Sequence, residues 1–187
     1  MSTLQVENLI GPTSGSNANK IIIPSGQTLD ASEGFIPPAG SIVQVVNTSG
    51  AGLSSSSISS TSFVATNLQL NITPKYSNSL LKIEASHSYW WSTSGLSALT
   101  YAAFTFYRDT TTNINTAHGG VSMLEGSLSA NNNVNRQANY IAYDSPNTTN
   151  AVNYKVYMKQ WTQVTSALRA IDSTAGRDTI TITEIAQ

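Results

Sequence analysis

The sequence predicts an all-β protein of the antiparallel sandwich class, and three observations carry that prediction. Short runs in which apolar and polar residues alternate with period 2 recur from Ser41 onward, the pattern of half-buried strands. Clusters of Gly, Asn, Asp and Pro separate these runs, as in sandwiches and unlike βαβ units. No segment has a convincing helical period. The one weak candidate, Ser122 to Ala130, contains Gly126 and Ser122, Ser127 and Ser129, and is read as a loop.

Taken in order, Ser41 to Asn47 (SIVQVVN) is a first strand. Thr48 to Ser62 (TSGAGLSSSSISSTS) is low in complexity; from Ser54 on, Ile58 and Thr61 alone interrupt the serines, so a long mobile loop is expected. Phe63 to Ile72 places Leu68, Leu70 and Ile72 on one face, and Asn71 to Asn78 supplies turn chemistry around Pro74. In the next strand Leu81, Ile83, Ala85, His87 and Tyr89 alternate with Leu80, Lys82, Glu84, Ser86 and Ser88, and the first set is expected to face the core. Further strands are expected over Leu99 to Arg108, Asn135 to Tyr143, Asn153 to Trp161, Ser166 to Ile171 and Thr179 to Ile185.

Residues 1 to 38 differ. They hold few apolar anchors and many turn formers, among them Gly11, Pro12, Gly15, Pro24, Gly26, Gly34, Pro37 and Pro38, so they cannot close a core of their own. Leu4 to Val6 and Ile21 to Ile23 are short strand-like pieces within this stretch. It is read as a stem or attachment arm, or a linker, ahead of one head domain spanning 39 to 187.

The 187 residues are 10% charged, with net charge -1, and Ser, Thr and Asn make up roughly two in five. Such a neutral polar surface offers no basic field for nucleic acid or anionic lipid, and no apolar run is long enough to insert in a membrane as a helix. Cysteine is absent, which excludes disulfides and thiol chemistry. The opening MSTLQVENLIG lacks the basic and apolar regions of a signal peptide. An extracellular style of composition without an export signal fits a virion protein made in a host cytoplasm and released by lysis.

Several stretches carry a resemblance. IPSGQTLDASEG (Ile23 to Gly34), PPAGSIVQVV (Pro37 to Val46), NITPKYSNSLLKIEAS (Asn71 to Ser86), FTFYRDTT (Phe104 to Thr111), YDSP (Tyr143 to Pro146), VNYKVYMK (Val152 to Lys159) and TITITEIAQ (Thr179 to Gln187), in that order, resemble short tail-fibre-like proteins of marine cyanobacterial phages. Residues 39 to 187 are also similar, more distantly, to trimeric jelly-roll heads of the complement and tumour-necrosis-factor type. The resemblance implies an antiparallel jelly-roll head with an extended N-terminal β stem, a homotrimer, and a place on a virion. It transfers no catalytic or receptor-binding residue.

Chemistry-bearing constellations are few. His87 is expected in the core or an interface and His118 in an exposed loop; no HxH or HExxH spacing proposes a metal. The ten acidic residues are scattered, and no GxSxG or phosphate-binding glycine loop occurs. No enzymatic activity, cofactor or metal is expected. Arg108 and Asp109 could pair locally, bridge subunits, or sit at a solvated strand end. Aromatics give the sharper hypothesis, because rings stack on sugar faces and anchor interfaces. Tyr89 and Trp91 share the inward face of their strand, whereas Trp90 lies on the Ser86 and Ser88 face; Trp90, Trp161 and Tyr157 are the candidate surface-binding residues.

The expected function is therefore a bacteriophage structural protein, a short trimeric fibre or knob in host attachment, or alternatively a capsid or neck decoration protein without receptor binding. Its expected partners are two further copies of itself, other virion proteins held through the N-terminal arm, and a host surface glycan or envelope component.

Overall fold

The computed structural model describes residues 10–18, 20–28, 36–49, 56–92, 100–114, 121–125, 133–160, 168–170 and 178–187. The chain divides into two compact units, Met1–Ile36 and Pro37–Gln187. In the first, the described residues form turns and no strand. Ala18 N donates to Gly15 O, and Gln27 N donates to Pro24 O. Ile21–Ile23, read from sequence as strand-like, has no ladder partner among the described residues. The other strand-like piece, Leu4 to Val6, lies outside the described residues.

The second unit holds all the strands: β1 (Ile42–Ser49), β2 (Ser56–Ile58), β3 (Val64–Ile72), β4 (Leu80–Ser92), β5 (Thr100–Arg108), β6 (Thr112–Asn113), β7 (Val121–Glu125), β8 (Asn133–Asp144), β9 (Val152–Gln160), β10 (Leu168–Ala170) and β11 (Thr179–Ile185). There is no helix among the described residues. The strands form two antiparallel sheets, a jelly-roll-like sandwich. In sheet 1 the order is β1-β11-β4-β8, with β10 continuing along the same edge of β4 and β2 flanking β10. In sheet 2 the order is β3-β9-β5, with β6 and β7 on β5. The longest register, Leu81↔Asp144 through Ser92↔Asn133, is unbroken. The two ends of the unit meet in sheet 1, where Ile42 pairs with Ile185. A turn delivers the chain there: Ser41 N donates to Pro38 O, and Gly40 takes the positive φ of 84° that a side chain would resist.

Period-2 alternation dictates the core. Leu81, Ile83, Tyr89, Ile180 and Ile182 point inward from sheet 1, and Leu68, Phe104, Phe106, Tyr154, Val156 and Met158 from sheet 2. Each such side chain contributes roughly 1.5–3 kcal/mol when fully buried. His87 belongs to this core as expected, edge-on to Phe104 at 4.6 Å between ring centres. Sheet 1 also buries Glu184, whose carboxylate accepts from Ser79 Oγ (2.6 Å), Lys75 N (2.8 Å), Tyr76 N (3.2 Å) and Gln44 Nε2. Those bonds pin the β3–β4 connection, where the chain crosses from one sheet to the other.

Three expectations are corrected. The serine-rich stretch is not a free loop throughout: Ser56–Ile58 is a strand on β10, and Ile58, 7% exposed, joins the core. Gln160 fastens it, with N donating to Ser60 O and Nε2 to Ile58 O. One isoleucine and a backbone ladder suffice, and the ladder does not read the serines. Residues 50–55 of that stretch lie outside the described residues. Secondly, within Ser122 to Ala130, read as loop, residues 122–125 belong to β7, which pairs with β5 from Phe104↔Val121 to Thr100↔Glu125, while residues 126–130 lie outside the described residues. The described part of the expected Leu99 to Arg108 strand, Thr100–Arg108, continues into a hairpin with Thr112–Asn113, across a turn with Asp109 and Thr110 at φ 49° and 63°.

Lastly, Arg108 does not pair with its neighbour Asp109. Being inward on β5, it crosses the sandwich to β8, where Nη1 donates to Asp144 Oδ2 at 2.7 Å. Tyr154 Oη donates to the same oxygen at 2.6 Å, and burial together with the Asp144 carboxylate pushes the Tyr154 hydroxyl pKa well above its ordinary value.

Candidate functional site

Strand alternation that buries one side of each sheet presents the other, so the candidate sites are the two outer faces. On sheet 2, β9 sends Val152, Tyr154, Val156, Met158 and Gln160 inward and Asn153, Lys155, Tyr157 and Lys159 outward. Tyr157 lies in register with Thr105 of β5 and Ala65 of β3; Lys155 lies in register with Tyr107 and Gln69. The Tyr157 and Tyr107 rings stack at 4.1 Å and 27°. Phe63 meets Tyr107 edge-on at 6.1 Å, and the Lys159 ammonium sits 4.7 Å over the Phe63 ring. Partial burial raises the Tyr157 hydroxyl pKa, so the phenol is neutral at physiological pH. The result is a rigid aromatic platform edged by two cations and half open to solvent.

The outer face of sheet 1 differs. One end carries Ile42 (67% exposed) and Val45 (53%) on β1 and Tyr143 (57%) and Ile141 on β8; Ile185 and Leu80 continue the row from Ile42, and Thr183 and Lys82 lie between Val45 and Tyr143. The middle is a shallow groove of about 260 Å³ lined by Glu84, Ser86, Asn139, Ile141, Thr179 and Thr181. Its carboxylate is already neutralised by Lys82 at 2.9 Å. Trp90 stands towards the far end, half-buried, in register with Asn135 and Arg169.

Of the residues singled out from sequence, Trp90 and Tyr157 thus occupy opposite outer faces and cannot share a ligand. Trp161 lies outside the described residues, as does His118, and the Trp91 side chain is likewise undescribed. Sequence reasoning missed Phe63, Tyr107 and Lys155. A signal existed for Tyr107 and Lys155, since each has the outward parity of its strand, but which strands are neighbours is not written locally.

The interior polar cluster is closed to solvent. His87 Nε2 lies 3.2 Å from Tyr140 Oη and Nδ1 lies 3.2 Å from Ser88 O. Burial lowers the His87 pKa, an effect opposed by the Ser88 carbonyl and by Asp178. Asp178 Oδ1 accepts from Ser88 N at 2.7 Å. Among the described residues no group of three or more His, Asp or Glu side chains is placed to hold a metal ion.

No protein-family model and no curated protein matches this sequence. Solved structures similar to the chain include VP2 of infectious bursal disease virus. The VP2 subviral particle is 13% identical with a TM-score of 0.37, over 94% of this chain and 46% of that one. VP2 in derived T=1 particles is 13% identical with a TM-score of 0.36, over 94% and 44%. The chain spans less than half the length of these proteins.

Proposed function

We propose that the protein is a structural component of a bacteriophage virion, a short homotrimeric fibre or knob whose head contacts the host surface. The observation that carries the reading is the exposed apolar end of sheet 1. Ile42 and Val45 on β1 and Ile141 and Tyr143 on β8 stand exposed on one four-strand-wide face, at the two edges of a sheet whose outer strands are each paired on one side only. Side chains so placed leave water only when another surface covers them. A second copy is the simplest cover, and closed symmetry is the usual outcome for like subunits. The count of three follows the resemblance to trimeric jelly-roll heads. On β9 the outward Tyr157 is already stacked on Tyr107, so we assign self-association to sheet 1.

Composition supports the virion assignment: a nearly uncharged Ser, Thr and Asn surface, no cysteine, and a well-packed sandwich. The N-terminal unit supports a particle-binding arm, with Ile10, Ile21, Ile22, Ile23 and Ile36 exposed for a partner to cover. Light scattering on the full chain is expected to give three times the 19.9 kDa chain mass. A monomer at micromolar concentration overturns the trimer. Antibody labelling of particles, with adsorption assays on host cells, separates an attachment knob from a decoration protein, because only the former binds cells.

A further inference from the structure

We infer that the outer face of sheet 2 binds an acidic saccharide, with a sugar ring against Tyr157 and a carboxylate or sulfate on Lys155. The inference rests on the attachment reading and names its ligand class.

Three features of the face fit that chemistry. First, Tyr157 is held in place by its stack on Tyr107, so little rotamer entropy remains to be lost when a ring packs against it. Ala65, exposed and short, lies beside Tyr157 in register on β3, which leaves a step at the edge of the platform rather than a wall. Second, the charge is one-sided. Lys155 and Lys159 are both outward on β9, and Lys155 forms no ion pair with a described residue. The Asp109 carboxylate, in the hairpin turn after β5, accepts from Asn153 N at 2.9 Å. A chain with net charge -1 thus gathers positive charge where its aromatics are stacked. Third, the Gln69 amide, in register with Lys155 and exposed, provides both a donor and an acceptor for ring hydroxyls.

A neutral sugar would use the ring and the amide and leave Lys155 idle; an acidic one uses all three. Polynucleotides fit less well, since two cations are few for a backbone with a charge at every residue. Acidic peptides lack a saturated ring to match the platform.

The full-length chain is titrated calorimetrically with four probes: an oligogalacturonate, its methyl ester, a sulfated galactan oligosaccharide and its desulfated form. The acidic member of at least one pair is expected to bind about tenfold or more tightly than its neutral counterpart, an advantage of about 1.4 kcal/mol, and to weaken with added salt. Lys155→Gln should bring the acidic probe down to the neutral level. Tyr157→Ala should abolish binding of both, Tyr157→Phe should retain it within about threefold because the stack survives, and Trp90→Ala should change nothing.

Equal binding of acidic and neutral forms, indifference to Lys155→Gln, or equal binding of a single-stranded oligonucleotide or polyglutamate overturns the inference. So does silence toward all four probes. If Lys155→Gln and Tyr157→Ala particles adsorb to host cells like the parent, attachment stands and this site falls. If the parent itself does not adsorb, the attachment reading falls with it.

Discussion

The two outer faces of the sandwich are built from the same alternating strands and solve the same problem in opposite ways. On sheet 2 the outward aromatics are covered by one another: Tyr157 stacks on Tyr107, Phe63 closes against Tyr107, and the Lys159 ammonium caps Phe63. On sheet 1 the outward apolar residues Ile42, Val45, Ile141 and Tyr143 stay in water. The difference teaches that apolar content alone does not mark an interface; whether neighbouring strands supply the cover does. A face that has covered itself can hold a small rigid ligand, and one that has not gains when another surface covers it.

The sharpest break of this contrast places charge on sheet 1. Val45→Asp with Ile141→Asp is expected to weaken self-association by more than about 1000-fold, because unpaired carboxylates at a desolvated contact cost several kcal/mol. The variant should keep its circular dichroism spectrum, and Tyr157→Ala should leave the mass by light scattering unchanged. A trimer surviving the double substitution moves the interface elsewhere.

A slightly smaller effect is expected inside. Glu184→Ala leaves Ser79 Oγ and the Lys75 and Tyr76 amides without their acceptor and should cost about 2–4 kcal/mol in urea denaturation. Loss of under about 0.5 kcal/mol would show that the β3–β4 connection holds without its clasp.

Acid should act on the sheet 1 interior as well. The folded pKa of His87 lies below its ordinary 6.5, so as pH falls below about 6.5 the unfolded chain takes up a proton that the folded one resists. The stability present above that pH is lost on acidification. In His87→Gln this slope should flatten, as read from urea midpoints between pH 7 and 5; an unchanged slope would remove His87 as the cause.

Smallest is the coupling within the sheet 2 platform. A double-mutant cycle of Tyr107→Ala and Tyr157→Ala should return about 0.5–1.5 kcal/mol of coupling, which Tyr157→Phe retains. Zero coupling would mean that the two rings are merely adjacent.

Much of this architecture was legible. The inward set Leu81, Ile83, Ala85, His87 and Tyr89 was readable from alternation because a strand side chain has only two directions to point. Strand β11 matches its expected bounds, Thr179 to Ile185. The failures share one cause. Ser56–Ile58 and Val121–Glu125 are strands because β10 and β5 offer them backbone partners, and hydrogen bonds between main chains leave no trace in side-chain pattern. From sequence Arg108 was open to a local pair with Asp109, a bridge between subunits or a solvated strand end, yet parity aims it across the core at Asp144, 36 positions away.

By itself, then, the sequence determined the all-β class and the direction of most core side chains, both of which depend on residue type and a two-residue period. Tertiary structure decided which outward residues meet. Strand order put Tyr107 beside Tyr157 and parted Trp90 from both by the thickness of the sandwich. That adjacency arises from pairing between segments about 50 residues apart in the chain, and alternation within either segment carries no information about its partner.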